Sequence, residues 1–169
     1  MLEFIVGYDL LEFENYYKTI WDSIPNREKP SLDNFERDII IDNPSHLIVW
    51  KEGSEIIGHT IWHETYTDRH NEESPREDDD RKILEELIGK SKECVELHEL
   101  WLKLEYRGRG NSKQFFPFFE KFVADSGFEF IIYYTDNEAA IHICRQRGYK
   151  EGYGVKAGEF TWYVFTLKL

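Results

Sequence analysis

The junction at residues 105–113 constrains the fold more than any other segment. Upstream, residues 94–104 alternate apolar and polar side chains through most of their length, which is typical of a β-strand. Downstream, phenylalanines recur at the i, i+3, i+4, i+7 spacing of an amphipathic helix. These residues are Phe115, Phe118, Phe119 and Phe122. The chain is therefore predicted to pass from a strand into a helix through a short turn, where unpaired helix N–H groups favour an anion.

The turn itself combines small and cationic residues. Gly108 and Gly110 lack a β-carbon, so the backbone can close around a phosphate. Arg107, Arg109 and Lys113 add cationic donors, which predicts a pyrophosphate cradle. The alternative is a surface turn, which a bare Gly-x-Gly more often indicates. The spacing fits neither a P-loop nor a dinucleotide-binding loop, and the turn follows several predicted strands.

Two segments carry a family resemblance. The sequence Arg-Gly-Arg-Gly-Asn-Ser at residues 107–112 resembles the Arg/Gln-x-x-Gly-x-Gly/Ala acyl-CoA loop of the GNAT N-acetyltransferase superfamily. Asn137-Glu-Ala-Ala, followed by Cys144 and by Gly148-Tyr149, is similar to the Asn-x-x-Ala-x-x-x-Tyr-x-x-x-Gly-Phe segment of that family. The resemblance implies a transferase that moves an acetyl group from acetyl-CoA to a primary amine by direct transfer in a ternary complex, without a metal.

The resemblance also assigns residues to the acetyl-CoA site. The loop would hold the pyrophosphate, and a β-bulge in the preceding strand would pair its backbone with the pantetheine arm. A helix-capping asparagine would donate a hydrogen bond to the same arm. The implied residues are Leu100, Leu102, Arg107, Gly108, Arg109, Gly110, Asn111, Ser112, Lys113 and Asn137.

Catalysis requires a base for the amine, and the resemblance places Glu96 in that position. His98 falls on the same face of the strand and could shuttle a proton, whereas Glu99 is predicted on the opposite face. The alternatives are a carboxylate without a catalytic role and a structural histidine.

The departing thiolate needs a proton, and here the sequence departs from the family. Cys144 replaces the usual tyrosine and could itself donate a proton, although a lone inward-facing cysteine is more often a small buried apolar side chain. Tyr149 is another candidate donor. Because that tyrosine is missing, a catalytically weak acyl-CoA-binding sensor with the same fold is an alternative, and a phosphate-binding module unrelated to CoA is a third.

The order of predicted elements is β-α-α-β-β-β-α-β-α-β-β, with a further short helix near residues 80–88. It indicates an α/β (α+β) fold in which a mixed, mostly antiparallel sheet of about seven strands carries helices on both faces. We expect one GNAT-like domain over residues 1–169, with an acidic insertion at 66–92. The sequence Ser-Leu-Asp-Asn at residues 31–34 is predicted to cap the second helix, and Pro117 is expected to bend or loosen the first turns of the phenylalanine-rich helix.

The formal net charge of −12 bears on the partners. Residues 64–86 contain ten acidic against four basic residues, so we expect a cationic amine acceptor and no nucleic acid. A solvated acidic loop is the alternative.

No apolar run suits a membrane span, and the first residues do not resemble a secretion signal, so a cytoplasmic location is expected. Two distant cysteines favour neither a disulfide scaffold nor a zinc site, and a homodimer is left open.

Overall fold

The computed structural model describes residues 1–68, 78–152, 154–157 and 160–169. The chain divides into two compact units. The first unit comprises Met1–His63 and His98–Ser112, and the second comprises Glu64–Leu97 and Lys113–Leu169. Part of the acidic segment predicted at 66–92, residues 69–77, lies outside the described residues. A single domain over residues 1–169 stays a prediction.

The strands of the first unit form antiparallel pairs in the order β1-β2-β3, with the second half of β4 beyond them. Their bounds are β1 Leu2–Val6, β2 Leu47–Glu52, β3 Glu55–Tyr66 and β4 Glu93–Leu102. Strands β2 and β3 form a hairpin, paired through a turn in which Gly53 has a φ of +62°. The register places Val49 opposite His59.

Two capped helices belong to the first unit, α1 Leu10–Ile20 and α2 Asn34–Asp42. The cap of α2 lies within the predicted segment, residues 31–34. Asp33 is the cap, and its side chain accepts a hydrogen bond from the backbone N–H of Phe35 at 2.8 Å. Glu36 reaches back to the Asp33 N–H, which completes a capping box.

The core of the first unit lies where α1 and α2 pack against the strands. Its most deeply buried members are aromatic and aliphatic side chains of these elements, including Phe13, Tyr17, Ile40, Leu47, Val49 and Ile61. Trp101 of β4 joins the same cluster. This burial fixes α1 and α2 against the strands that carry the candidate site.

In the second unit the strand order is β4-β5-β8-β6, and β7 pairs with β8. The bounds are β5 Phe130–Thr135, β6 Lys150–Glu151, β7 Val155–Ala157 and β8 Phe160–Lys168. The β4–β5 pair is parallel, with Glu96 opposite Ile132, and the β5–β8 pair is antiparallel. Every residue of β5 is buried, as expected for a central strand.

Three helices complete the described part of the chain: α3 Asp78–Ile88, α4 Asn111–Asp125 and α5 Glu138–Gln146. The helical assignment of α4 continues across Pro117. Its buried face differs from the predicted one, because Phe116 and Val123 are fully buried whereas Phe118 and Phe122 are only partly buried. No helix in the described ranges is both long and apolar enough to cross a membrane.

Candidate functional site

The glycine turn between β4 and α4 is the first part of the candidate site. Gly108 and Gly110 have φ angles of +73° and +82°, in the left-handed region that favours glycine. No atom of the described residues lies within 4 Å of a β-carbon placed on either residue. The helix α4 begins at Asn111, directly after Gly110, so its first N–H groups lack carbonyl partners within the helix. This backbone is open and suited to an anion.

Two side chains hold the turn in shape from within the first unit. The Nε of Arg107 donates to the carbonyl oxygen of Leu102 at 2.8 Å, and its Nη1 donates to the Glu28 carboxylate at 2.6 Å. The Nδ2 of the buried Asn111 donates to the carbonyl oxygen of Tyr106 at 3.0 Å. Arg107 is therefore engaged by a carboxylate, and its contacts suit a residue that positions the loop.

Arg109 and Lys113 are two further cations of the turn, and both are exposed. The guanidinium of Arg109 lies 5.0 Å from the centre of the Tyr106 ring, and Lys113 occupies the first turn of α4. Ser112 between them is partly buried. Open glycine backbone, a helix start and two exposed cations together fit a pyrophosphate.

The end of β4 is packed closely against β3. A β-carbon on Gly58 would lie only 2.5 Å from the carbonyl oxygen of Trp101, and the Lys103 N–H donates to the Ile57 carbonyl at 2.8 Å. The side chain of Leu102 is buried, and Leu100 is partly buried. The bulge predicted near these residues stays a prediction.

The two residues predicted for acid–base work differ in their surroundings. Glu96 is buried in the second unit, in the middle of the parallel ladder. His98 belongs to the first unit, where its Nε2 lies 2.9 Å from Oε1 of Glu36. Burial alone would raise the pKa of Glu36, but hydrogen bonds from His98, Asp33 and Ser31 hold it well below its usual range. Since an ionised carboxylate only accepts, Nε2 of His98 carries a proton.

Glu99, to which the sequence alone assigns no role, has surroundings that make it a further candidate. Burial raises the pKa of its carboxyl from the ordinary value near 4.5 to about 7, and the charge of Glu36 adds to this rise. The charge of His98 and a hydrogen bond from the Ser31 backbone N–H act in the opposite direction. A carboxyl that titrates near neutrality has a pKa suited to a general base. Only its place on the same strand as Glu96 could have drawn attention to it.

This pKa predicts a pH-dependent stability that Glu99→Gln removes. Between about pH 4.5 and 7 the folded protein keeps a proton that the unfolded chain releases, so stability falls as pH rises. We expect the variant to exceed the native protein in free energy of unfolding above pH 7, by up to about 3 kcal/mol. Urea unfolding on both sides of this window measures the difference, with exposed Glu86→Gln as the charge control. Parallel stability curves for the native protein and Glu99→Gln would contradict the shifted pKa.

A buried pair, Tyr17 and His59, was also missed. The Tyr17 hydroxyl lies 2.5 Å from Nδ1 of His59, whose ring stacks on Trp101. Burial lowers the pKa of His59 to about 3, so the ring is neutral at physiological pH. Its Nε2 has no hydrogen-bond partner among the described residues. The pair joins α1 to β3 across 42 sequence positions, so no local pattern indicates it.

In the second unit, Cys144 is fully buried, and burial raises the pKa of its thiol to about 12. Tyr149 is also buried, and its hydroxyl donates to Oε1 of Glu120 at 3.2 Å. Arg147 binds the same carboxylate with two guanidinium nitrogens. Burial raises the pKa of Tyr149 far above its ordinary value. These surroundings favour packing roles for both residues over proton donation to a thiolate.

Asn137 caps α5, which confirms the capping part of its prediction. Its Oδ1 accepts hydrogen bonds from the backbone N–H groups of Ala139 and Ala140, at 3.0 and 3.1 Å. The helix ends before Gly148, whose φ of +80° is the left-handed conformation that often follows a helix. A bond from Asn137 to the pantetheine arm stays a prediction.

Comparison with known families identifies the class of protein. The model of the acetyltransferase (GNAT) family matches residues 10–149. The chain therefore belongs to the GNAT acetyltransferase family and is an acyltransferase, as the two sequence segments predicted. No curated protein matches the sequence significantly.

Solved structures share the fold at low sequence identity. A mosquito arylalkylamine N-acetyltransferase like 5b has a TM-score of 0.72 at 14% identity, and the match covers 100% of both chains. The Drosophila melanogaster polyamine N-acetyltransferase gives 0.70 at 13%, and Arabidopsis thaliana NAA60 in complex with acetyl-CoA gives 0.63 at 14%, each over 100% of both chains. These similarities confirm the predicted mixed, mostly antiparallel fold.

Proposed function

We propose that the protein transfers an acetyl group from acetyl-CoA to a primary amine of a small cationic molecule or a peptide, by direct transfer in a ternary complex. The observation that carries this proposal is the turn at Gly108 and Gly110, with its left-handed glycines, open backbone and exposed cations. Membership in the GNAT family supports acetyl-CoA as the ligand of that turn.

In this proposal the N–H groups of residues 108–112, with Arg109 and Lys113, bind the pyrophosphate. Arg107 contributes by fixing the turn to Leu102 and Glu28. The pantetheine arm pairs with β4 near Leu100 and Leu102. Among the described residues, β4 pairs with β5 only at residues 95–97, which supports an accessible edge further along β4. Asn137 Nδ2 donates to the same arm while its Oδ1 caps α5.

The reaction follows from the needs of the amine. The amine reaches the site as an ammonium ion and must first lose a proton to a base. Its nitrogen then bonds to the acetyl carbonyl carbon, the carbon–sulfur bond breaks, and the electron pair leaves with the sulfur. The thiolate takes a proton from solvent, because the surroundings of Cys144 and Tyr149 do not favour donation. We propose Glu96 as the base and His98 as a residue that relays or orients the proton.

Glu96→Gln and Glu99→Gln form a matched pair that tests the base. We expect Glu96→Gln to lower kcat/KM about a hundredfold and to remove the rise of the rate with pH. Glu99→Gln should retain that rise, although its stability profile changes. The measurement is kcat/KM against pH for a saturating acetyl-CoA concentration. If the rise disappears in Glu99→Gln and persists in Glu96→Gln, Glu96 is not the base and the role moves to Glu99.

Release of CoA thiol in the presence of an amine panel tests the proposed function itself. We expect thiol release that depends on the amine, with one acetylated amine for each CoA formed. Because position 144 is a cysteine and not the usual tyrosine, a second candidate function is an acyl-CoA sensor. A sensor would bind CoA tightly and would release no CoA thiol with any amine. ATP or inorganic phosphate competing as well as CoA would instead indicate a phosphate-binding module.

A further inference from the structure

The first unit contains a cavity of about 540 Å³ between α1 and α2. Much of its wall is apolar and aromatic. Phe13, Tyr17 and Trp21 come from α1 and the turn that follows it, while Leu32 and Ile40 come from the α2 region. A cavity of this volume lined by three aromatic rings is large enough for an aromatic or branched alkyl group.

Five of the lining residues are charged, three of them acidic and two basic. Glu14 and Arg37 form an ion pair at 2.5 Å, and Lys18 and Asp22 carry opposite charges one turn apart on the chain. The remaining charged residue, Glu36, is buried. Because Glu14 is paired with Arg37, Asp22 lies one turn from Lys18 and Glu36 is buried, the cavity offers little attraction to a second cation on a ligand.

The third carboxylate, Glu36, is already saturated by the protein. Its oxygens accept hydrogen bonds from the Ser31 hydroxyl at 2.8 Å, the Asp33 N–H at 3.0 Å and His98 Nε2 at 2.9 Å. Glu36 therefore fixes the wall of the cavity and does not present an open anionic site. An ammonium group placed there would have to displace one of these donors.

The same residue connects the cavity to the proposed chemistry. Glu36 lines the cavity and holds His98, which is proposed to relay or orient the proton of the amine. Tyr17 also lines it and packs edge-on to Trp101 of β4, with ring centres 5.4 Å apart. One end of the cavity is thus formed by side chains that touch β4.

We propose that this cavity holds the apolar tail of the acceptor, so that the preferred acceptor is a primary amine with one cationic head and an apolar, preferably aromatic, tail. This inference rests on the proposed function and narrows its substrate class. Two sources share this chemistry, a free arylalkylamine and a peptide whose first residue has a large apolar side chain. A polyamine would have to place a second cation in the apolar cavity.

Competing acceptors test the substrate class. We expect kcat/KM for 2-phenylethylamine to exceed that for agmatine and for spermidine by about tenfold or more. A peptide beginning with phenylalanine forms a further arm. If kcat/KM for this peptide exceeds that for 2-phenylethylamine, the preferred acceptor is a peptide N-terminus and the proposal stands. Preference for spermidine or agmatine would overturn it.

Trp21→Ala and Leu11→Ala test whether the apolar tail of the acceptor lies in this cavity. Trp21 lines the cavity, whereas Leu11 is exposed on the same helix and does not line it. We expect Trp21→Ala to raise KM for 2-phenylethylamine about tenfold and to leave kcat/KM for ethylamine, which lacks a tail, nearly unchanged. Leu11→Ala should change neither value. An unchanged KM in folded Trp21→Ala would overturn the location.

A binding measurement separates this inference from the proposed function. 2-Phenylethanol has the same tail and no amine, so it can occupy the cavity without being acetylated. We expect its binding to the native protein, followed by NMR, to weaken in Trp21→Ala and to persist in Leu11→Ala. Such binding without any acetyl transfer would refute the function and keep the cavity as a site for apolar groups. Acetyl transfer to amines with no preference for an apolar tail would keep the proposed function and refute the role of the cavity.

Discussion

Replacing Gly110 by aspartate is expected to raise the Kd for acetyl-CoA at least about a hundredfold while the protein stays folded. The backbone at this residue is left-handed, with a φ of +82°, and no described atom would lie within 4 Å of the new β-carbon. Aspartate is among the side chains that tolerate this conformation best. The loss would therefore come from a carboxylate facing the phosphates. Isothermal titration with acetyl-CoA measures it.

Gly127→Asp is the matched control for this variant. Gly127 follows α4, has a φ of +91°, and also has open space around its β-carbon position. The two variants share the added charge and a similar backbone cost, so only the place of the charge differs. Equal affinities for acetyl-CoA in both variants would show that the turn at Gly110 is not the phosphate site.

The second large effect is expected from Gly58→Ala, in the middle of β3. The added β-carbon would lie 2.5 Å from the Trp101 carbonyl oxygen and 3.2 Å from the Cα of Leu102. Both contacts are to backbone, so β3 and the end of β4 must move apart. We expect the free energy of unfolding to fall by about 1–3 kcal/mol. KM for acetyl-CoA should also rise, because Leu102 is proposed to contact the pantetheine arm.

Gly53→Ala separates these two effects. Gly53 lies in the hairpin turn with a φ of +62°, and its β-carbon would have no described neighbour within 4 Å. The left-handed backbone costs about 1–2 kcal/mol in stability, but β4 is not displaced. We therefore expect an unchanged KM for acetyl-CoA in this variant. Native values of Tm and KM in Gly58→Ala would show that β4 accommodates the methyl group.

The features that could be predicted from the sequence are those encoded within a few residues. The strand, turn and helix around Gly108 and Gly110, the hairpin at Gly53 and the Asn137 cap each depend on local backbone preferences. The sequence at residues 31–34 predicts a cap for α2 but does not decide which residue provides it. Both Ser31 and Asp33 are good capping residues, and the structure uses Asp33 because Glu36 then completes the capping box.

The features that could not be predicted depend on residues distant in sequence. The pKa of Glu99 is set by burial against elements that come together only in the fold. Arg107 is paired with Glu28, 79 positions away, so its role as a positioning residue is not visible in the loop motif. The buried face of α4 includes Phe116 in place of Phe118, because neighbouring elements and not the helix alone decide which side is covered.

The net charge of the chain also does not decide which amine is the acceptor. The formal net charge of −12 led to an expected cationic acceptor, and any primary amine satisfies that expectation. The lining of the α1–α2 cavity has mostly apolar walls, and of its three acidic residues Glu14 is paired with Arg37 and Glu36 is buried. Net charge describes the long-range attraction of a ligand, whereas the local lining decides which ligand is held.

Mass spectrometry of a reaction with isotopically labelled acetyl-CoA and 2-phenylethylamine tests the central claim most directly. The account predicts that the labelled acetyl group appears on the amine nitrogen, in equal amount to the CoA released, with none attached to the protein. It also predicts loss of this product in Gly110→Asp and its retention in Gly127→Asp. Labelled acetyl on Cys144, or CoA bound tightly with no acetylated amine from any acceptor tried, would contradict direct transfer.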